Sequence, residues 1–133
     1  MIGSPVFLKR GNGKRRNAVF IKHIGEVKKQ AISGEGIKNV LKQIPVGPDQ
    51  GWKDHTLRVF TLGKNGATPK HAHDWEHVNY VISGRGTLEI EGKEHDLPAG
   101  SFAFVPPNVL HQYSNAGDDD FVMICIVPSH GDY

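Results

Sequence analysis

The sequence predicts an all-β domain, a sandwich or barrel of short antiparallel strands. Sixteen Gly and eight Pro are scattered among valine, isoleucine and phenylalanine, the composition of many strands joined by tight turns. Short apolar runs recur at close spacing with turn chemistry between them, and a helical period is nearly absent.

The candidate strands are Ile37 to Ile44, Thr56 to Leu62, His77 to Ile82, Gly86 to Glu91, Lys93 to Asp96, Phe102 to Val105, Leu110 to Ser114 and Phe121 to Val127. Between them lie Pro45 to Asp49, Ser83-Gly84-Arg85-Gly86, Glu91-Gly92-Lys93, Pro98-Ala99-Gly100, Pro106-Pro107-Asn108 and Asn115-Ala116-Gly117-Asp118, each a turn signal. Residues 1–35 carry mixed apolar and basic character without a clean period, and are expected to form an arm with a few edge strands. The one stretch with helical character is Glu26 to Ile32. Residues 36–128 form the single main domain.

A chain of 133 residues suits one core and one site. With 38% apolar and 23% charged residues, it has the composition of a folded soluble protein rather than a disordered or membrane-spanning one. The formal charge of +2 is too small to argue for nucleic acid, and the basic cluster Lys9, Arg10, Lys14, Arg15 and Arg16 has no aromatic stacking pattern beside it. After Arg16 the apolar run Ala18 to Ile21 is too short for a signal peptide or a membrane helix, so no membrane partner is expected and the expected location is cytoplasmic. A single cysteine, Cys125, excludes an internal disulfide and fits a reducing compartment.

Four of the eight histidines fall between positions 71 and 111. Residues two apart on a strand share a face, so His71 and His73 are expected to present both imidazoles to one side. His77 follows across Asp74, Trp75 and Glu76, and His111 arrives from a distant hairpin. Neutral imidazole ligates Zn, Fe, Mn, Ni and Cu, and converging imidazoles have few other reasons to share a core.

These residues carry a family resemblance. Gly66 to Gly84 (GATPKHAHDWEHVNYVISG) resembles the first cupin motif, and Gly92 to Asn115 (GKEHDLPAGSFAFVPPNVLHQYSN) resembles the second, in the right order. The family usually places glutamate where His77 stands. Six residues separate His77 from Gly84, as the motif requires, whereas Glu76 would leave seven. Adjacent strand residues face opposite sides, so His77 is taken as the ligand and Glu76 as a strand-end residue.

The resemblance implies a double-stranded β-helix, or jelly roll, with an all-histidine site: a divalent transition metal on His71, His73, His77 and His111, Mn or Fe favoured, with Zn, Ni and Cu as alternatives. Four neutral ligands leave the metal's charge uncompensated, so the site should attract anions, and no carboxylate stands among the ligands to act as a base. Alternation puts Asn79 and Val81 on the face of His77, and Val109 and Tyr113 on that of His111. Small cupins further imply that Arg58, Phe60, Met123 and Cys125 line the pocket, with Arg58 holding a substrate carboxylate; Arg58 and Tyr113 are the catalytic candidates. Trp75 is expected either at the cavity rim or packed outside the barrel. The function expected is a dioxygenase-like oxidoreductase acting on a small oxygenated or anionic molecule. An isomerase or decarboxylase of a small acid or sugar, and a non-catalytic ligand-binding module, are the alternatives. An exposed N-terminal edge strand and the resemblance together imply a homodimer.

Overall fold

The computed structural model describes residues 5–9 and 15–132, and almost all of the regular structure is antiparallel β. Strands β1 (Pro5–Lys9) and β2 (Arg15–Phe20) pair as a separate two-stranded sheet. The remaining strands are β3 (Gln30–Ile32), β4 (Lys38–Val46), β5 (His55–Ala67), β6 (His77–Ser83), β7 (Arg85–Ile90), β8 (Lys93–Pro98), β9 (Phe102–Val105), β10 (His111–Asn115) and β11 (Phe121–Pro128). They form one sheet that curls into a nearly closed barrel, ordered β8-β7-β10-β5-β11-β6-β9, with β4 on the free side of β5 and β3 outside β4.

The last strand in sequence is central in space. β11 lies between β5 and β6, pairing Phe121 with Leu62 through Pro128 with His55 on one side, and Met123 with Val81 through Ile126 with Val78 on the other. Strict alternation explains this placement: Phe121, Met123, Cys125 and Val127 all point into the core. β5 is the longest strand and joins the two halves of the barrel, because its far end meets β10 through Ala67 and Ser114.

Two turns show why the predicted strands end where they do. At the β7–β8 hairpin both Glu91 and Gly92 have positive φ, at 49° and 85°, giving a two-residue turn of the type whose twist matches paired strands. Gly84, at φ 78° between β6 and β7, sits so close to the carbonyl of Asp120 that no side chain fits.

The helical character of Glu26 to Ile32 does not develop into a helix of two turns. Only one turn of 3-10 helix forms, earlier, at Ile24–Glu26, capped by His23 Nδ1 accepting from Gly25 N at 2.9 Å. Gln30–Ile32 instead pairs with Val40–Lys42 as β3. A helix this short does not offset its nucleation cost, and the open edge of β4 supplies strand hydrogen bonds instead.

Asn115 closes the loop before β11. Its Nδ2 donates to the carbonyls of Leu62, Gly63 and Asp119 at 2.9 to 3.0 Å, and its Oδ1 accepts from Gly117 N at 2.8 Å. Asn115→Ala is expected to cost about 1–3 kcal/mol by orphaning these groups, read as a lower urea midpoint at unchanged slope.

Candidate metal centre and cavity

The structure brings His71, His73, His77 and His111 together inside the barrel. His71 does not sit in a regular strand: β5 ends at Ala67, and His71 makes an isolated antiparallel bridge to His111. Reciprocal bonds, His71 N to His111 O at 3.1 Å and His111 N to His71 O at 3.0 Å, fix the two backbones. His73 lies in the following loop and is held by Asn108 N donating to its carbonyl at 2.6 Å. The shared-face expectation for His71 and His73 is therefore met by this bridge and loop rather than by strand alternation.

The ligand-capable nitrogens of His71, His73 and His111 lie within 4.8 Å of one another, and His77 Nε2 is 3.1 Å from His111 Nε2. Ring centroids of neighbouring members are 4.8 to 5.4 Å apart. Among the described residues no carboxylate joins the cluster.

Hydrogen bonds behind the rings fix the tautomers. A carbonyl oxygen only accepts, so His111 Nδ1 donates to Val109 O at 2.8 Å and His73 Nδ1 donates to Trp75 O at 2.9 Å. His77 Nδ1 donates to Asn79 Oδ1 at 2.9 Å, an oxygen that also accepts from the Tyr113 hydroxyl. In their neutral forms His73, His77 and His111 therefore keep bare lone pairs on Nε2. Two of these lone pairs face each other across 3.1 Å, a repulsive arrangement that a shared cation relieves. The donor set fits a divalent transition metal, which these four imidazoles could hold.

Burial reinforces neutrality. It holds His77 down to about 3, with His111, His73 and Arg58 adding to the effect and the Asn79 hydrogen bond opposing it. His71 lies near 4, first through burial and then through His111, His73 and Arg58, and His111 is also lowered, mainly by burial. With folded values below the unfolded 6.5, the unfolded chain takes up these protons first. In metal-free protein the stability associated with these histidines is full above about pH 6.5 and falls as pH drops toward the folded values. Urea midpoints measured with chelator should decline between about pH 7 and pH 5, and a flat profile there would contradict buried neutral rings.

The cluster opens into a cavity of about 260 Å³. Arg58, Phe60, Tyr113, Met123 and Cys125 line it with the histidines. Asn79, Val81 and Val109 do not reach the wall. Asn79 is buried behind His77, Val81 packs in the core, and Val109 contributes its carbonyl behind His111. Trp75 is likewise behind the site, its ring parallel to His73 at 4.2 Å and backed edge-on by His130. Alternation placed Asn79 and Val81 correctly on the inward face of β6 but not their depth along it. Ile32, Ser33, Ile37, Val40, Thr68 and Pro69 complete the wall and were not singled out from sequence; only the closeness of Thr68 and Pro69 to His71 could have marked them.

Among the described residues Arg58 is the one formal cation on this wall, and no carboxylate lines it. Its Nη2 donates to Cys125 Sγ at 3.0 Å, and its guanidinium lies 4.9 Å over the Phe60 ring. Asp132 Oδ1 stands 3.7 Å from Nη1 and 2.8 Å from Lys42 Nζ, so one carboxylate serves two buried cations. Burial, then Cys125, raises the Tyr113 phenol well above its usual value and keeps it neutral. Burial also raises the Cys125 thiol, against the pull of Arg58.

Residues 58–127, more than half of the chain, match the family model of the cupin domain, and the chain belongs to that family. It is 31% identical to auxin-binding protein 1 of Arabidopsis thaliana over 86 residues, covering 58% of this chain and 43% of that protein. It is 26% identical to a glucose-6-phosphate isomerase of Thermococcus onnurineus over 131 residues, covering 83% of this chain and 69% of that protein. Among solved structures it resembles the polyketide cyclase RemF from Streptomyces resistomycificus, with a TM-score of 0.76 and 25% identity over 80% of this chain and 77% of that one. The chain thus spans less than half the length of one of these relatives, and their names describe different activities. Among the described residues no helix is long and apolar enough to cross a membrane.

Proposed function

We propose that this cupin is a metal-dependent enzyme that binds a small anionic, oxygen-bearing molecule beside one divalent metal, Mn or Fe in the first instance. The observation that carries this reading is a cavity whose wall, among the described residues, has four imidazoles and one guanidinium but no carboxylate. His71, His73, His77 and His111 would hold the metal, which when bound supplies open positions for a substrate oxygen and, with dioxygen, redox chemistry. Arg58 meets the substrate carboxylate, and Phe60, Val40 and Ile37 shelter its apolar part from water. Tyr113 is not the base, because its hydroxyl proton is committed to Asn79 and burial disfavours its removal.

With no carboxylate on the cavity wall among the described residues, a dioxygenase-like oxidation is the leading reaction class. A non-redox isomerisation or cyclisation is the second reading, favoured by the likeness to an isomerase and to a polyketide cyclase. Screening oxygen uptake by the Mn- and Fe-loaded protein against a panel of small carboxylates, with parallel anaerobic incubations, tests both. Substrate-dependent uptake supports oxidation. Product formed equally well without oxygen replaces it with the second reading, and carboxylate binding without turnover under either condition reduces the protein to a ligand-binding module.

A further inference from the structure

A buried lysine remains unexplained by the metal centre. Lys42 takes an inward position on β4, two residues after Val40, which lines the cavity. It pairs in register with Phe60 on β5, and Arg58 shares the inward face of that strand. Lys42 and Arg58 are both buried, whereas an apolar residue at position 42 would fill the core with no charge to desolvate. Asp132 serves both, with Oδ1 2.8 Å from Lys42 Nζ and 3.7 Å from Arg58 Nη1.

The backbone sets Asp132 in this place. Ser129 N donates to Asp54 O at 2.9 Å, the hydroxyls of Ser129 and Thr56 lie 3.1 Å apart, and Asp132 N donates to Ser129 O at 3.2 Å, closing the 3-10 turn Ser129–Gly131. Gly131 packs directly on Trp75, where an added Cβ would collide with the indole. Asp132 lines a second cavity, of about 450 Å³, and does not line the metal cavity. Its carboxylate therefore reaches the guanidinium from outside the metal cavity, while Arg58 itself forms part of that cavity's wall.

We infer that Lys42 and Asp132 are positioning residues that set how strongly Arg58 holds an anion, a role that rests on the proposed grip of Arg58 on a substrate carboxylate. Lys42 engages the carboxylate that would otherwise neutralise the guanidinium. Among the described residues, two cations and one carboxylate leave this cluster a net charge of +1. Removing the charge of Asp132 raises it to +2, and removing that of Lys42 lowers it to 0. Because the three groups are largely buried, one charge changes the field at Arg58 by more than it would on a surface, and salt screens little of the change. The two substitutions therefore move anion affinity in opposite directions. Residues that merely propped Arg58 in place would both weaken binding when replaced.

Calorimetric titration of the Mn-loaded full-length protein with benzoate tests this, with benzamide as the uncharged control. Asp132→Asn is expected to bind benzoate roughly tenfold more tightly than wild type, and Lys42→Met roughly tenfold more weakly. Lys42→Arg keeps the charge and should match wild type. The double variant Lys42→Met/Asp132→Asn returns the cluster to its original net charge and should recover wild-type affinity, where structural damage would instead accumulate. Benzamide should show no such ordering. If Asp132→Asn does not fold, Lys42→Met with Lys42→Arg as its rescue carries the test. Loss of benzoate binding in Arg58→Leu, with any order other than Asp132→Asn above wild type above Lys42→Met, overturns the charge-pair role and leaves the grip of Arg58 standing. Equal binding by wild type and Arg58→Leu, or none by wild type, overturns the grip and the charge pair together.

Discussion

His111→Ala is expected to purify with far less than one metal per chain, while wild type carries about one, measured by elemental mass spectrometry on protein grown without metal supplementation. The substitution removes the ring whose Nε2 lies 3.1 Å from that of His77 and whose Nδ1 is anchored on Val109 O. It leaves the backbone bridge to His71, which belongs to the main chain. Asn79→Ala is the graded comparison: it removes only the acceptor behind His77 and should cost roughly 10–100-fold in metal affinity, so His111→Ala must exceed that. Metal retained at wild-type stoichiometry in His111→Ala would remove this histidine from the ligand set.

Arg58→Leu is expected to weaken carboxylate binding to the metal-loaded protein by roughly 10- to 100-fold, the worth of charge-assisted hydrogen bonds to a buried partner. Titration with acetate and benzoate, followed calorimetrically, checks it. The side chain is only 5% exposed, so the leucine fills apolar surroundings beside Phe60 and Cys125 rather than opening a surface. Asp132 keeps Lys42 at 2.8 Å and is not stranded by the change. Arg58→Lys should recover little, because an ammonium lacks the planar fork that grips both carboxylate oxygens. Equal affinity in wild type and Arg58→Leu would mean that the anion is held by the metal alone.

Much of this was legible from residue order. Phe121 to Val127 was marked as a strand, though not its central place between β5 and β6, and Glu91-Gly92-Lys93 marked the turn that closes β7 on β8. The choice of His77 over Glu76 followed from counting to Gly84; in the structure His77 Nε2 lies 3.1 Å from His111 Nε2, while the group whose ligand atoms are all mutually close is His71, His73 and His111. What sequence could not supply was depth and long-range company. Asn79 shares the face of His77, yet its distance from the cavity depends on Tyr113, thirty-four positions away, reaching the same oxygen. Asp132 lies beyond the recognisable motifs, and nothing local tells that its carboxylate meets Lys42 and Arg58. β3 falls within the arm where edge strands were expected, but its residues could not be picked out, because an edge strand is selected by the free rim of β4, not by its own three residues.

The central position of β11 also governs how the molecule comes into being. During synthesis β5 and β6 emerge long before the strand that separates them, so each holds an open hydrogen-bonding rim until residues 121–128 are available. Most of the sheet is built from such distant pairings, which slows folding and lengthens the interval in which sticky rims are exposed. Once β11 enters, it supplies both neighbours and the floor of the cavity in a single event. Completion of the cavity around the histidine cluster is thereby tied to completion of the chain, and a nascent or truncated product lacking that strand is a substrate for chaperones or proteases rather than a partly working barrel.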